Sequence, residues 1–177
     1  AQQMAIQPLE QLSYLQRLAN AAVACFRYLE KTFWPTELAL PYLHPGHWPA
    51  GQVAFASLLI LGLCTLTILT LRRRPHLFVG WFWYLGMLVP VIGIVQVGDQ
   101  AMADRYTYTP TIGVAIAAVW LVREWVLPKP GIVRGVVAAS CALLVLLTIA
   151  TIRQTMYWKD GVTLFARTVE VEPDNGF

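Results

Sequence analysis

The chain has 177 residues, of which 57% are hydrophobic and only 13% are charged, and its formal net charge is +3. Soluble domains usually carry about 25% charged residues, so the composition excludes an ordinary soluble protein and indicates a polytopic, all-α membrane protein. The basic residues form no stripe suited to a phosphate backbone, and we expect no nucleic-acid partner.

Residues 12–31 are predicted to form an amphipathic helix within an N-terminal region that spans 1–31. Two arginines near the centre of this helix would each cost about 2.5–3.5 kcal/mol inside a bilayer. A helix lying on the outer membrane surface therefore fits better than a membrane span. The alternative is a fifth span that packs its polar stripe inward. The polar stripe consists of Ser13, Arg17, Asn20, Arg27 and Lys31.

The segment 32–50 is rich in proline and tryptophan and is predicted to be a rigid extracytoplasmic loop. His44 and His47 have the spacing of a metal-binding pair. No cysteine or carboxylate lies close to them in sequence, and Pro45 and Gly46 break any helical geometry, so we expect no metal site. Glu37 has the chemistry of a general base, but nothing beside it indicates a shifted pKa.

Four segments, 51–71, 76–97, 108–127 and 132–152, are predicted to cross the membrane, since a transmembrane helix needs roughly 20 apolar residues. Pro90 and Gly93 predict a kink in the second segment. Small residues let helix backbones approach each other closely, so the glycines of these segments are predicted to mark helix contacts. These glycines are Gly62, Gly86, Gly93, Gly113 and Gly135.

The basic residues predict the orientation of the chain. Arg72, Arg73 and Arg74 follow the first predicted span, and Arg123, Lys129 and Arg134 flank the turn after the third. Both turns are therefore assigned to the cytoplasm. Loops 32–50 and 98–107 and the C-terminal segment 153–177 are then extracytoplasmic.

The stretch "QVGDQAMADRYTYTPTIG", from Gln96 to Gly113, gathers polar groups between two apolar segments. Arg105 carries a planar donor fork suited to phosphate, and Asp104 is adjacent to it. Tyr106 and Tyr108 share one face if the chain is extended. Pro110 begins the third span, where a helix N-terminus favours an anion. The stretch is predicted to bind a lipid-linked phosphate; the alternative is an ordinary loop with interfacial tyrosines and a structural Asp–Arg pair.

The segment 153–177 is predicted to contain a short helix that ends before Pro173. Gly161 and Phe165 match part of the second helix of a tetratricopeptide (TPR) unit, whereas Thr168 stands where a small alanine is usual. This partial match predicts that TPR repeats follow the chain.

Three stretches of the chain resemble a family of membrane proteins with C-terminal TPR repeats. They are "YLEKTFWPTELALPY", "GWFWYLGMLVPVIGIVQVGDQAMADRYTYTPTIG" and the pattern "W…LFARTVEVEPDN". The family includes bacterial TPR membrane proteins and the eukaryotic transmembrane-and-TPR O-mannosyltransferases. It looks like the GT-C class of glycosyltransferases, which are α-helical membrane enzymes that use a sugar on a polyprenyl-phosphate carrier.

The resemblance implies roles for the candidate residues. Arg105 would bind the carrier phosphate, Asp104 would orient it, and Tyr106 and Tyr108 would shape the pocket. Arg17 and Arg27 would meet lipid headgroups. The catalytic carboxylate would lie in an earlier outer loop, ahead of this chain. Supporting residues of the site would be Asp99, Arg27, Glu37 and His44.

The resemblance also implies the setting of the reaction. The substrate would be a lipid-linked sugar, with no further cofactor, and the acceptor a protein Ser or Thr hydroxyl at the extracytoplasmic face of a bacterial inner membrane. Downstream TPR repeats would recruit the protein substrate.

Two other functions compete with a glycosyltransferase: a non-catalytic membrane anchor for a periplasmic TPR scaffold, and a lipid-carrier flippase. A transporter should place ionisable residues at mid-membrane. The four predicted spans are nearly free of them at their centres, which counts against the flippase.

Overall fold

The computed structural model describes residues 13–35, 42–43, 47–92 and 100–171. Within these ranges the architecture is helical, as predicted, with one short antiparallel pair of strands. The elements in chain order are α1 (Tyr14–Phe33), β1 (Tyr42–Leu43), α2 (Ala50–Thr70), α3 (Pro75–Leu88), β2 (Gln100–Met102), a 3₁₀ turn (Asp104–Thr107), α4 (Tyr108–Val126), α5 (Pro130–Met156) and α6 (Gly161–Val171).

Among the described residues, three helices are long and apolar enough to cross a membrane. They are Ala50–Thr70, Asp104–Val126 and Pro130–Met156. The predicted second span begins as α3, which has 14 residues and ends two residues before Pro90. Proline cannot donate a backbone hydrogen bond, which accounts for a helix end at this position. Residues 93–97 of that predicted span lie outside the described residues, so four spans remain a prediction.

The predicted amphipathic helix is present as α1, and its first turn carries a capping box. The Ser13 side chain accepts a hydrogen bond from the Gln16 backbone N–H at 3.3 Å, and the Gln16 side chain accepts one from the Ser13 N–H at 2.8 Å. These bonds satisfy backbone donors that a helix start leaves without intrahelical partners. The helix therefore begins close to the predicted boundary.

Of the five residues of the predicted polar stripe, Asn20 is buried, Arg17, Arg27 and Lys31 are half-buried, and Ser13 is exposed. Asn20 and Ala24 are buried, whereas Leu15 and Leu18 on the other face are exposed. The face of α1 that carries Asn20 and Ala24 packs against the rest of the chain, and α1 is not among the three candidate spans. A position on the membrane surface stays a prediction for α1.

The chain divides into two compact units, Ala1–Ala117 and Ala118–Phe177. The core of the first unit includes the fully buried side chains of Tyr28, Tyr84 and Leu88. Phe26 and Phe55 join α1 to α2 by an edge-to-face contact at 5.3 Å. In the second unit, α5 buries none of its side chains within the chain, as expected of an apolar helix whose neighbours are lipid or other protein.

Candidate functional site

The candidate site is a short irregular segment between β2 and α4. Ala103 is extended, with φ −148° and ψ 129°, and only 2% of it is exposed. The 3₁₀ turn then begins, and its Tyr106 N–H donates to the Ala103 carbonyl at 3.0 Å. The Thr107 hydroxyl donates to the Asp104 carbonyl at 2.7 Å. Short polar side chains bond local backbone groups in this way in turns, which explains the tight turn ahead of α4.

Arg105 is exposed on this turn and contacts its neighbour Tyr106. The Arg105 Nη2 donates to the Tyr106 hydroxyl oxygen at 3.4 Å, and the guanidinium carbon lies 5.1 Å from the centre of the Tyr106 ring. A cation over an exposed aromatic ring gains about 0.5–1 kcal/mol. The structure therefore brings together these two predicted site residues and orients the guanidinium on an aromatic surface.

The two other predicted residues of the stretch differ in exposure. Asp104 is half-buried, and its Oδ1 atom is shielded from solvent. Tyr108 is the first residue of α4 and is 78% exposed. The orienting role of Asp104 stays a prediction, whereas Tyr108 stands at the end of a candidate span, where an aromatic side chain suits a membrane–water interface.

The start of α4 is fixed against α3. The Trp83 indole N–H donates to the Thr109 carbonyl at 3.0 Å. One turn further along α4, the backbone of Gly113 lies against that of Gly80. Pro110 is buried in the first turn of α4, the position predicted for it. Arg105 therefore lies on a turn that leads directly into α4, and α4 packs against α3.

Arg27, a predicted supporting residue, makes its described contact elsewhere. Its guanidinium carbon lies 4.6 Å from the centre of the Trp48 ring. The Trp48 indole N–H in turn donates to Asn20 Oδ1 at 3.0 Å, and Asn20 Nδ2 donates to the Ile92 carbonyl at 3.4 Å. This group ties α1 to the segments that precede α2 and follow α3.

The other predicted supporting residues, Asp99, Glu37 and His44, lie outside the described residues. His47 is described, and its Nδ1 lies 3.0 Å from the Gln16 amide nitrogen. Within the described ranges, no three His, Cys, Asp or Glu side chains group as metal ligands would.

Sequence reasoning missed one residue of this region, Tyr28. Its side chain is 0% exposed, and its hydroxyl accepts a hydrogen bond from the Ala103 N–H at 2.9 Å. Burial raises the pKa of Tyr28 to about 12. In the sequence, Tyr28 stands four residues after Ala24. Residues at this spacing share one face of a helix, and this face of α1 is the buried one.

No protein-family model, curated protein or solved structure matches the chain. An exposed guanidinium beside tyrosines, at the N-terminal end of an apolar helix, is suited to binding an anion at a membrane surface.

Proposed function

We propose that this chain is the C-terminal part of the membrane domain of a GT-C-type glycosyltransferase. It would transfer a sugar from a polyprenyl-phosphate carrier to a protein Ser or Thr hydroxyl at the extracytoplasmic face of the membrane. The observation that carries the proposal is the exposed Arg105 at the N-terminal end of a candidate span, in contact with Tyr106. The resemblance of "ADRYTYTP" and its flanking stretches to the TPR membrane family supports it.

The electrostatics of this position favour a phosphate group. The N-terminal end of α4 carries a partial positive charge from the aligned peptide dipoles, and the Arg105 guanidinium adds a full positive charge beside it. Both features attract an anion. A guanidinium can bind two phosphate oxygens at once through its donor fork.

The membrane setting favours a lipid-linked phosphate over a soluble one. Arg105 lies in the 3₁₀ turn at the start of the candidate span Asp104–Val126. A polyprenyl chain would lie in the bilayer beside such a helix, with its phosphate at the depth of Arg105. Tyr108 would lie at the same level as the sugar or the headgroup.

The proposed reaction is a displacement at the anomeric carbon of the sugar, with inversion. The acceptor oxygen forms the new bond to this carbon, and the bond from carbon to the carrier phosphate oxygen breaks. The electron pair of that bond goes to the phosphate, whose negative charge Arg105 stabilises. The hydroxyl proton goes to a carboxylate, which the family resemblance places in an earlier outer loop.

A comparison of glycoproteins in the source cell tests this proposal. The strains carry the intact gene, a deletion, or the deletion complemented with Arg105→Ala. A matched control is Arg134→Ala, which removes an exposed arginine from the first turns of α5. We expect specific extracytoplasmic proteins to lose sugar in the deletion strain and with Arg105→Ala, and to recover it with Arg134→Ala. Unchanged glycans in the deletion strain would refute the transferase.

A non-catalytic anchor for a TPR scaffold is the second candidate, and α6 favours it. Val162 is 82% exposed and Phe165 is 49% exposed on this 11-residue helix. An amphipathic helix with an open apolar face is what the first unit of a stacked helical repeat requires. In the same strains, the anchor predicts unchanged glycans and loss of extracytoplasmic protein complexes on deletion.

A further inference from the structure

We propose that Tyr28 is a positioning residue for phosphate binding, because its hydroxyl fixes the backbone of the turn that presents Arg105. The inference rests on the proposed function, since it assigns Arg105 the role of phosphate ligand. Tyr28 lies on α1, 77 residues before Arg105 in the sequence, and it contacts neither a substrate nor the reacting atoms in this assignment.

The Tyr28 hydroxyl makes two hydrogen bonds with the backbone of Ala103. The Tyr28 hydroxyl oxygen accepts from the Ala103 N–H at 2.9 Å, and its O–H donates to the Ala103 carbonyl at 3.4 Å. In an extended residue the N–H and the C=O point toward the same edge of the chain. One hydroxyl therefore satisfies both backbone groups of Ala103, as a neighbouring strand would.

Ala103 is linked to Arg105 through Tyr106. The Ala103 carbonyl also accepts from the Tyr106 N–H at 3.0 Å, which is the first hydrogen bond of the 3₁₀ turn. Tyr106 carries the ring over which the Arg105 guanidinium lies. The Tyr28 hydroxyl and the 3₁₀ turn thus meet at one oxygen atom, and the orientation of Arg105 depends on that turn.

Removing the Tyr28 hydroxyl would leave the Ala103 N–H without its hydrogen-bond acceptor. Ala103 is 2% exposed, so its N–H has no access to bulk water where it lies. A buried donor without a partner is costly, and the segment relieves that cost by moving toward water. In Tyr28→Phe we therefore expect Ala103 and the turn to shift, and the guanidinium fork to lose its preferred orientation.

The chain offers a matched control in Tyr84. Its side chain is also buried, and its hydroxyl donates to the Cys25 carbonyl on α1 at 2.6 Å. Tyr84→Phe therefore removes a second buried tyrosine hydroxyl that bonds backbone, but one that does not touch Ala103. A general loss of packing or stability affects both variants, whereas a positioning role affects Tyr28→Phe alone.

The experiment measures lipid binding by the purified full-length gene product in phosphatidylcholine nanodiscs. The probes are a radiolabelled polyprenyl monophosphate, the corresponding polyprenol, and phosphatidylglycerol as an ordinary anionic lipid. The proteins are wild type, Arg105→Ala, Tyr28→Phe and Tyr84→Phe. For Tyr28→Phe we expect about five- to tenfold weaker binding of the polyprenyl monophosphate, the size of effect that one hydrogen bond gives. The preference of Tyr28→Phe for the polyprenyl monophosphate over phosphatidylglycerol should fall as well.

Each outcome bears on one of the two proposals. Weaker, less selective binding in Tyr28→Phe with wild-type binding in Tyr84→Phe supports the positioning role. Equal losses of binding in Tyr28→Phe and Tyr84→Phe, or no loss in Tyr28→Phe, overturn the positioning role. If Arg105→Ala has lost binding in the same experiment, the proposed phosphate site is still supported. Wild-type binding in Arg105→Ala overturns the phosphate site itself.

Hydrogen exchange on the wild-type protein keeps the inference testable if Tyr28→Phe does not fold. The amides of Ala103 and Tyr106 donate to Tyr28 and Ala103, respectively. We expect both amides to exchange far more slowly than in an unstructured peptide. Exchange at the rate of an unstructured peptide at Ala103 would overturn the inference without any variant.

Discussion

Gly80 of α3 and Gly113 of α4 bring the backbones of their helices into direct contact. A Cβ atom added to Gly80 would collide with the Gly113 carbonyl oxygen, and one added to Gly113 would collide with the Gly80 carbonyl oxygen. Small residues allow such an approach, and close backbone contacts stabilise helix pairs in membranes. This contact lies one turn after Thr109, where Trp83 binds the start of α4.

Substituting either of these glycines should separate α3 from α4. The atom met by the added methyl group is backbone and cannot rotate away, so we expect Gly80→Ala to lower the free energy of unfolding by about 1–3 kcal/mol. Gly86→Ala is the control, because it lies on the same helix and a Cβ there meets nothing within 4 Å. Thermal unfolding in a mild detergent measures both. Equal stability of the two variants would contradict the contact.

Asn20 is expected to stabilise the first unit through two hydrogen bonds. It accepts from the Trp48 indole N–H and donates to the Ile92 carbonyl. In Asn20→Ala a buried network loses its central member, and we expect a loss of about 1–3 kcal/mol. A double-mutant cycle with Trp48→Phe in chemical denaturation isolates the Asn20–Trp48 contact. Strictly additive losses would show that the two side chains do not interact.

Asp160 should make the stability of α6 depend on pH. Its Oδ1 accepts hydrogen bonds from the Thr163 backbone N–H at 2.7 Å and the Thr163 hydroxyl at 2.8 Å. These bonds hold the pKa of the Asp160 carboxyl below its usual value. Because the folded-state pKa is the lower one, the stabilisation is present above the unfolded pKa and is lost as pH falls through the folded pKa.

Amide hydrogen exchange in α6 measures this effect. We expect faster exchange, after correction for the intrinsic rate, as pH falls below about 3.9, the ordinary pKa of an aspartate. Asp160→Asn keeps an oxygen that accepts a hydrogen bond but has no charge to lose. The acid-dependent step should be absent from that variant, and the same step in both proteins would point to another group.

Local sequence patterns predicted the helices better than they predicted the contacts between them. The spacing of polar and apolar residues was enough to place α1. Pro90 predicted a kink in the second span; α3 ends at Leu88, two residues before this proline, and the kink stays a prediction because residues 93–97 lie outside the described residues. Gly113 was predicted as a point of close approach, but its partner Gly80 was not. Gly62, Gly86 and Gly135 have the same local sequence character, but a Cβ atom added to any of them would meet nothing within 4 Å. A glycine shows that a close approach is possible, and only the packing shows where one occurs.

In the candidate site too, sequence patterns could indicate contacts between neighbouring residues but not those between distant ones. Arg105 and Tyr106 are neighbours in sequence, so their contact was within reach of a local argument. Tyr28 reaches Ala103 across 75 residues. No periodicity in α1 indicates which backbone group its hydroxyl meets. Which face of α1 becomes buried depends on the packing of α1 against the rest of the first unit, and sequence spacing alone left this undecided.

Conservative substitutions should separate the charge of Arg105 from its geometry. Arg105→Lys keeps the positive charge and loses the planar fork, so we expect transfer between that of wild type and that of Arg105→Ala. Tyr106→Phe removes the hydroxyl 3.4 Å from Nη2 but keeps the ring under the guanidinium.

The ring contact is the larger part of the Arg105–Tyr106 interaction, since a hydrogen bond of 3.4 Å is long. We therefore expect Tyr106→Phe to retain most of the transfer and Tyr106→Ala to lose roughly two- to fivefold, the equivalent of about 0.5–1 kcal/mol of cation–π energy. Occupancy of glycosylated sites in the complemented deletion strain measures all four variants at matched protein levels. Full transfer with Arg105→Lys would mean that the phosphate is held by charge alone, and the orientation that Tyr106 gives to the guanidinium would then have no role in the reaction.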